Sequence, residues 1–126
     1  MSAPADTSRP LEGKDVVLVE DEALVAMYVE DLLFDLGAAR VEIASSVGTA
    51  FALLDKALPQ LAVLDLNLGG QASYPVARRL ESTATPFFFL TGYGIDGVDP
   101  AWRRHPIVEK PASLDALRKA VCAVLR

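Results

Sequence analysis

Apolar residues follow two patterns along this chain. Short unbroken runs occur at Asp15-Val-Val-Leu-Val19, Leu61-Ala-Val-Leu-Asp65, Pro86-Phe-Phe-Phe-Leu90 and Ile107-Val108. Runs this short, bounded by Pro, Gly and charged residues, predict strands buried on both faces. Val41-Glu-Ile-Ala44 predicts one more, shorter strand. Between the runs, apolar residues recur at helical spacing. Val25, Val29, Leu32 and Leu36 precede Gly37 as a stop signal, and Ala50, Leu54 and Ala57 follow Ser46 as a cap and end at Pro59. Tyr74 to Leu80 carries Pro75 in its first turn, and Ser113 precedes the stripe of Leu114, Leu117, Val121 and Val124.

The weakest stretch lies between Gly94 and Pro106, where Gly97 and Pro100 interrupt the pattern. One short, mobile turn of helix around Ala101 to Arg104 is expected there in place of a full fourth helix. The remaining alternation of strand and helix predicts an α/β fold, doubly wound, with a parallel sheet between two helical layers and right-handed crossovers. Ligands of such sheets bind beyond the carboxyl ends of the strands. That rule gathers four scattered polar groups at one edge: Glu20-Asp21-Glu22, Asp65 with Asn67, Thr91-Gly92, and Lys110-Pro111.

Composition narrows the class. At 126 residues and 52% hydrophobic content the chain suits a single domain with its own core. Residues 1–13, with two prolines and no apolar run, are expected to form a flexible tail before a domain over residues 14–126. A net charge of −5 disfavours nucleic acid as a partner, since phosphate neutralisation requires clustered Lys and Arg. Arg78-Arg79 and Arg103-Arg104 are isolated pairs expected on solvated faces. No run reaches the ~18 apolar residues of a membrane span. The single cysteine, Cys122, suits a reducing compartment. A cytoplasmic protein without a membrane partner is the expectation.

Three converging carboxylates, Glu20, Asp21 and Asp65, repel one another unless a positive group stands among them. A hard divalent cation and the ammonium of Lys110 are the two candidates. Oxygen ligands open to water suit Mg²⁺, whereas one histidine and one cysteine make zinc a poor choice. A carboxylate beside Mg²⁺ and Lys is equipped to attack phosphorus and form an aspartyl phosphate. Thr91 adds a hydroxyl donor, and Gly92 keeps bulk away from it. Simpler roles exist for each residue: acids at a helix start are favoured by the dipole alone. On that plainer reading, Tyr93 covers the sheet edge, His105 is an exposed loop residue beside Pro106, and Trp102 packs on a core edge.

Taken together, the acid pair after the first run, Asp65, Thr91 and Lys110-Pro111 resemble the receiver domain of bacterial response regulators over Asp15 to Arg126. The resemblance implies a flavodoxin-like (βα)5 fold with strand order 2-1-3-4-5. It implies that Asp65 is the phosphoacceptor, Asp21 a direct Mg²⁺ ligand, Glu20 a ligand through water, and Asn67 a ligand through its backbone carbonyl. Thr91 and Lys110 would bind the phosphoryl group, and Pro111 matches the family's cis proline, which points the lysine into the site. One position departs: Ile107 stands where receivers carry a switch Tyr or Phe. Asp65-Leu-Asn-Leu-Gly69, Ser73-Tyr-Pro-Val-Ala77 and Phe89-Leu-Thr-Gly-Tyr-Gly94 are similar to an alphaproteobacterial single-domain subfamily with a Phe-Ala-Thr-Gly-type motif, Leu90 replacing Ala. In that group Tyr93 becomes the candidate moving aromatic.

The resemblance implies a histidine kinase, of HWE or related type, or a phosphotransfer protein as donor, and a downstream protein as target. A monomer is expected, with dimerisation on phosphorylation left open. Two alternatives belong to other classes. A phosphorylation-independent interaction module would keep the shape alone, with Ile107 as its one supporting residue. A small aspartate-based phosphatase would require a general acid where Asn67 stands, and a cap.

Overall fold

The computed structural model describes residues 8–125, so residues 1–7 of the expected tail and Arg126 lie outside the described residues. Five strands run parallel: β1 (Asp15–Val19), β2 (Arg40–Ala44), β3 (Leu61–Asp65), β4 (Phe87–Thr91) and β5 (Ile107–Glu109). Their spatial order is β2-β1-β3-β4-β5, the 2-1-3-4-5 order of the flavodoxin-like fold. Helices α1 (Ala23–Asp35), α2 (Val47–Lys56), α3 (Tyr74–Ser82) and α4 (Leu114–Val124) connect or follow the strands.

Alternate residues along each strand serve opposite faces, the consequence of the period of two. Val16, Leu18, Leu61, Val63, Phe88, Leu90 and Val108 join Val29 and Leu33 of α1 and Leu117 and Val121 of α4 in one cluster. Val17, Val19, Ala62, Leu64, Phe87 and Phe89 join Ala50 and Leu54 of α2 and Val76 and Leu80 of α3 in the other. β3 and β4 are therefore buried along their whole length, as unbroken apolar runs require. Register is tight across the middle, with Leu64 paired to Phe89 and Leu90 to Val108.

Local chemistry fixes the helix ends. Ser46 and Ser113 each accept a backbone hydrogen bond, from Thr49 and Ala116 respectively, and so cap α2 and α4. Gly37 closes α1 at φ +106°, and a Cβ there would lie 2.7 Å from the backbone nitrogen of Glu12. Both the backbone angle and the space demand glycine.

Three expectations are corrected. The tail does not extend to Gly13: Leu11 is fully buried in the α1–α4 cluster and its N–H donates to the carbonyl of Leu36. An apolar side chain in a polar stretch had an unfilled corner of the core to enter. The fourth crossover is two 3₁₀ turns, Ile95–Gly97 and Pro100–Trp102, rather than one turn at Ala101 to Arg104. Asp99 caps the second by accepting from the Ala101 N–H, which starts it one residue earlier than the apolar pattern indicates. His105 is not exposed: its ring lies 4.4 Å from that of Phe87 and its Nε2 is 3.0 Å from Glu81 Oε2. A small antiparallel ladder, Asn67–Leu68 with Gln71–Ala72, also stands beyond β3, turning at Gly69-Gly70. No helix among the described residues is long and apolar enough to cross a membrane.

Candidate functional site

The parallel sheet delivers every strand's carboxyl end to one edge, and the polar residues converge there. Glu20 follows β1 and is buried, Asp21 beside it is exposed, and Asp65 ends β3 almost wholly buried. Their carboxylate oxygens lie within 4.8 Å of one another. Lys110, just past β5, reaches into this group, with Nζ 2.6 Å from Glu20 Oε1 and 3.1 Å from Asp65 Oδ2. Its backbone is fixed by donation of its N–H to the carbonyl of Thr91 at 2.9 Å, and the Lys110–Pro111 bond is cis.

Electrostatics follow from this packing. Burial pushes the Glu20 carboxyl up to about 7, with Asp65 adding to the rise, while the bond to Lys110 opposes it. The 2.6 Å approach of Nζ to Glu20 Oε1 is a buried ion pair. For Lys110, burial works against the charge, but the bonds to Glu20 and Asp65 outweigh it and hold the ammonium above its usual range. One ammonium thus serves a cluster of three acids. Glu20 and Asp65 have no second cation among the described residues.

This donor set fits a hard divalent cation. Three carboxylates from two strand ends supply oxygen only, and the exposed Asp21 leaves room for retained waters, as Mg²⁺ prefers. A cleft of about 300 Å³ opens above Asp65, lined by Glu22, Asn67, Thr91, Gly92, Tyr93 and Lys110. Glu22, gathered at this edge by the sequence but given no role there, is part of the rim.

The remaining candidates divide. Thr91 is buried at the end of β4 and its Oγ1 accepts from the Tyr93 N–H at 3.0 Å, leaving the hydroxyl proton without an acceptor among the described residues. The Asn67 N–H approaches Asp65 Oδ1 at 3.4 Å, while its side-chain oxygen accepts from Gly70 N–H and so belongs to the turn. A Cβ on Gly92 would meet no atom within 4 Å, so packing within the chain does not demand glycine there. Tyr93 is 78% exposed. Ile107 lies apart from the cleft, half-buried against the α2–α3 cluster. A contact with no sequence signal joins distant segments: the Tyr28 hydroxyl of α1 donates to the carbonyl of Ala112 at 2.6 Å.

Neither a protein-family model nor a curated protein sequence matches the chain. Solved structures do. SdrG from Sphingomonas melonis Fr1 is 38% identical with a TM-score of 0.80, the alignment covering 93% of this chain and 98% of that one. The BeF3-activated conformation of SdrG from Pseudomonas melonis Fr1 is 37% identical with a TM-score of 0.78, covering 89% and 96%. The response regulator PhyR from Brucella abortus is 27% identical with a TM-score of 0.80, covering 94% of this chain and 50% of that longer one.

Proposed function

The chain belongs to the receiver-domain family of response regulators, and on that footing we propose that it is a phosphorylation-dependent signalling switch with Asp65 as the phosphoacceptor. The observation that carries this reading is the placement of Asp65 at the floor of an open cleft, 3.1 Å from Lys110 Nζ and within reach of two further carboxylates. A carboxylate oxygen of Asp65 attacks the phosphorus of a phosphohistidine on a partner protein. The O–P bond forms as the P–N bond breaks, and the imidazole nitrogen leaves with its electron pair. Lys110 pairs with one equatorial oxygen of the moving group, and the Thr91 hydroxyl donates its free proton to another.

Asp21, Glu20, Asp65 and the backbone carbonyl of Asn67 would hold Mg²⁺. That ion supplies the positive charge which balances the phosphoryl oxygens. Lys110 would then exchange its pairing with Glu20 for the phosphoryl group. The protein is thus a phosphoacceptor that assists its own phosphorylation and hydrolysis, and not an enzyme turning over small phosphoesters.

The signal leaves by protein contact. Thr91 accepts from the Tyr93 N–H, and the turn at Gly97 rests on Tyr93 so closely that a Cβ there would sit 2.7 Å from the Tyr93 Cβ. Drawing the Thr91 hydroxyl toward a phosphoryl oxygen therefore moves the loop through Tyr93 and the two 3₁₀ turns. Ile107 packs beside Phe89 and fills the position of the usual switch aromatic, so Tyr93 takes that role. The face presented by residues 94–106, β5 and α4 is the partner surface.

Intact mass after incubation with Mg²⁺ and acetyl phosphate tests the core of this reading. One added phosphoryl group, absent from Asp65→Asn, is the expected result. Failure of both phosphorylation and Mg²⁺-dependent beryllofluoride binding would leave a phosphorylation-independent module instead.

A further inference from the structure

Lys110 must hold its ammonium among Glu20, Asp65 and an incoming phosphoryl group, yet it lies on the short link between β5 and α4 rather than inside either element. On one side its own N–H is tied to the Thr91 carbonyl at 2.9 Å. Two residues further on, the carbonyl of Ala112 accepts the Tyr28 hydroxyl at 2.6 Å. Ala112 is buried in the α1–α4 cluster. Tyr28 and the side of Lys110 line one apolar groove with Leu24, Val25, Pro111 and Ala112.

From this arrangement we infer that Tyr28 is a positioning residue for Lys110. The inference rests on the reading of Lys110 as the phosphoryl partner. The link is pinned at two points, one on the sheet and one on α1. α1 itself begins directly after Glu20-Asp21-Glu22. Helix, acid cluster and lysine are thereby tied into one frame, across 84 residues of sequence. A hydroxyl that bridges elements in this way fixes where the ammonium sits without touching the reacting atoms. Small displacements of a group that stabilises transferred charge are costly to rate.

Tyr28→Phe keeps the ring and its packing and deletes only the hydroxyl. With acetyl phosphate as donor, intact mass gives the rate of adduct formation across a Mg²⁺ titration. The rate at saturating Mg²⁺ should fall about three- to tenfold, the range expected when one hydrogen bond of ordinary net strength is lost. The half-saturating Mg²⁺ concentration should not weaken, because the carboxylates keep their places. A mutation that merely loosened the edge of the fold would weaken Mg²⁺ binding as well, and that result would overturn the inference. So would a wild-type rate.

A second measurement requires no donor. The Lys110 amide and Cε–Hε resonances should move in Tyr28→Phe while those of α2 and α3 stay; unmoved Lys110 resonances would sink the clamp. If the wild-type protein neither takes up a phosphoryl group nor binds beryllofluoride, the reading of Asp65 fails, and the resonances still decide whether Tyr28 positions Lys110.

Discussion

Trp102 lies flat against Tyr74, with ring centroids 5.5 Å apart and planes 13° from parallel. Its ring also stacks with that of His105 at 5.7 Å, and Phe89 meets both Trp102 and Tyr74 edge-on at 6.1 Å. Tyr74 also accepts the Asp99 N–H on its hydroxyl at 2.7 Å. A segment with almost no regular structure is thus held to the sheet through one aromatic stack. Trp102→Ala should cost about 3–5 kcal/mol, the usual range for emptying a buried aromatic site, measured by urea unfolding. Because Trp102 is the chain's one tryptophan, its fluorescence in the wild type reports the same segment during phosphorylation.

The acid cluster makes stability depend on pH in a definite direction. Glu20 titrates near 7 in the folded protein, above its ordinary 4.5, so between these values the native state binds more protons than the unfolded chain. Stability should therefore fall as pH rises from about 4.5 through 7. Glu20→Gln should flatten this limb and raise the melting temperature at pH 8 without divalent cations. Thermal melts from pH 5 to 8 give the slope directly, and an unchanged slope in the variant would refute the assignment.

Glu81 predicts the opposite sign at lower pH. Burial pushes its carboxyl upward, but the bonds to His105 and Arg104 outweigh this and hold it below its usual value. Its contribution is present above the unfolded value of 4.5 and disappears as pH falls through the folded one. The pair is largely at the surface, so the effect should stay under about 1 kcal/mol. Glu81→Gln should remove that part of the acid limb in urea titrations at pH 3 to 6, leaving stability at pH 7 lower by a similar amount.

Gly97→Ala tests the route from Thr91 outward. The added methyl would lie 2.7 Å from the Tyr93 Cβ and 3.4 Å from Thr91 Oγ1, so the turn must retreat. A cost of about 1–3 kcal/mol is expected for such overpacking. Beryllofluoride binding should persist, while the change in Trp102 fluorescence that accompanies it should shrink. A full fluorescence response would show that the turn is not part of the path.

The sheet and the cluster were legible in the sequence because both rest on strong, local signals. Unbroken runs such as Phe87–Thr91 have one stable placement, and parallel pairing then determines which ends meet. Glu20, Asp21, Asp65 and Lys110 converge for that reason alone. What escaped detection depends on single side chains meeting across long separations. The His105 ring meets Phe87, 18 residues away on β4, with no local pattern to announce it, and Leu11 stands alone in a polar stretch. The hydroxyl of Tyr28 finds Ala112 only once α1 and α4 have packed on the same face. The segment after Gly94 was hard to place because its turns are held by tertiary aromatic contacts, not by propensity.

Leu11 separates two notions of where the domain starts. Among the described residues, regular structure begins at Asp15, but the first buried apolar side chain stands four positions earlier and belongs to no strand or helix. A fragment cut at Lys14 would retain every element of the fold and still leave a hole in its floor, forfeiting on the order of 1.5–3 kcal/mol of burial. For a domain with the usual reserve of only ~5–15 kcal/mol, the choice of starting residue is itself a stability mutation.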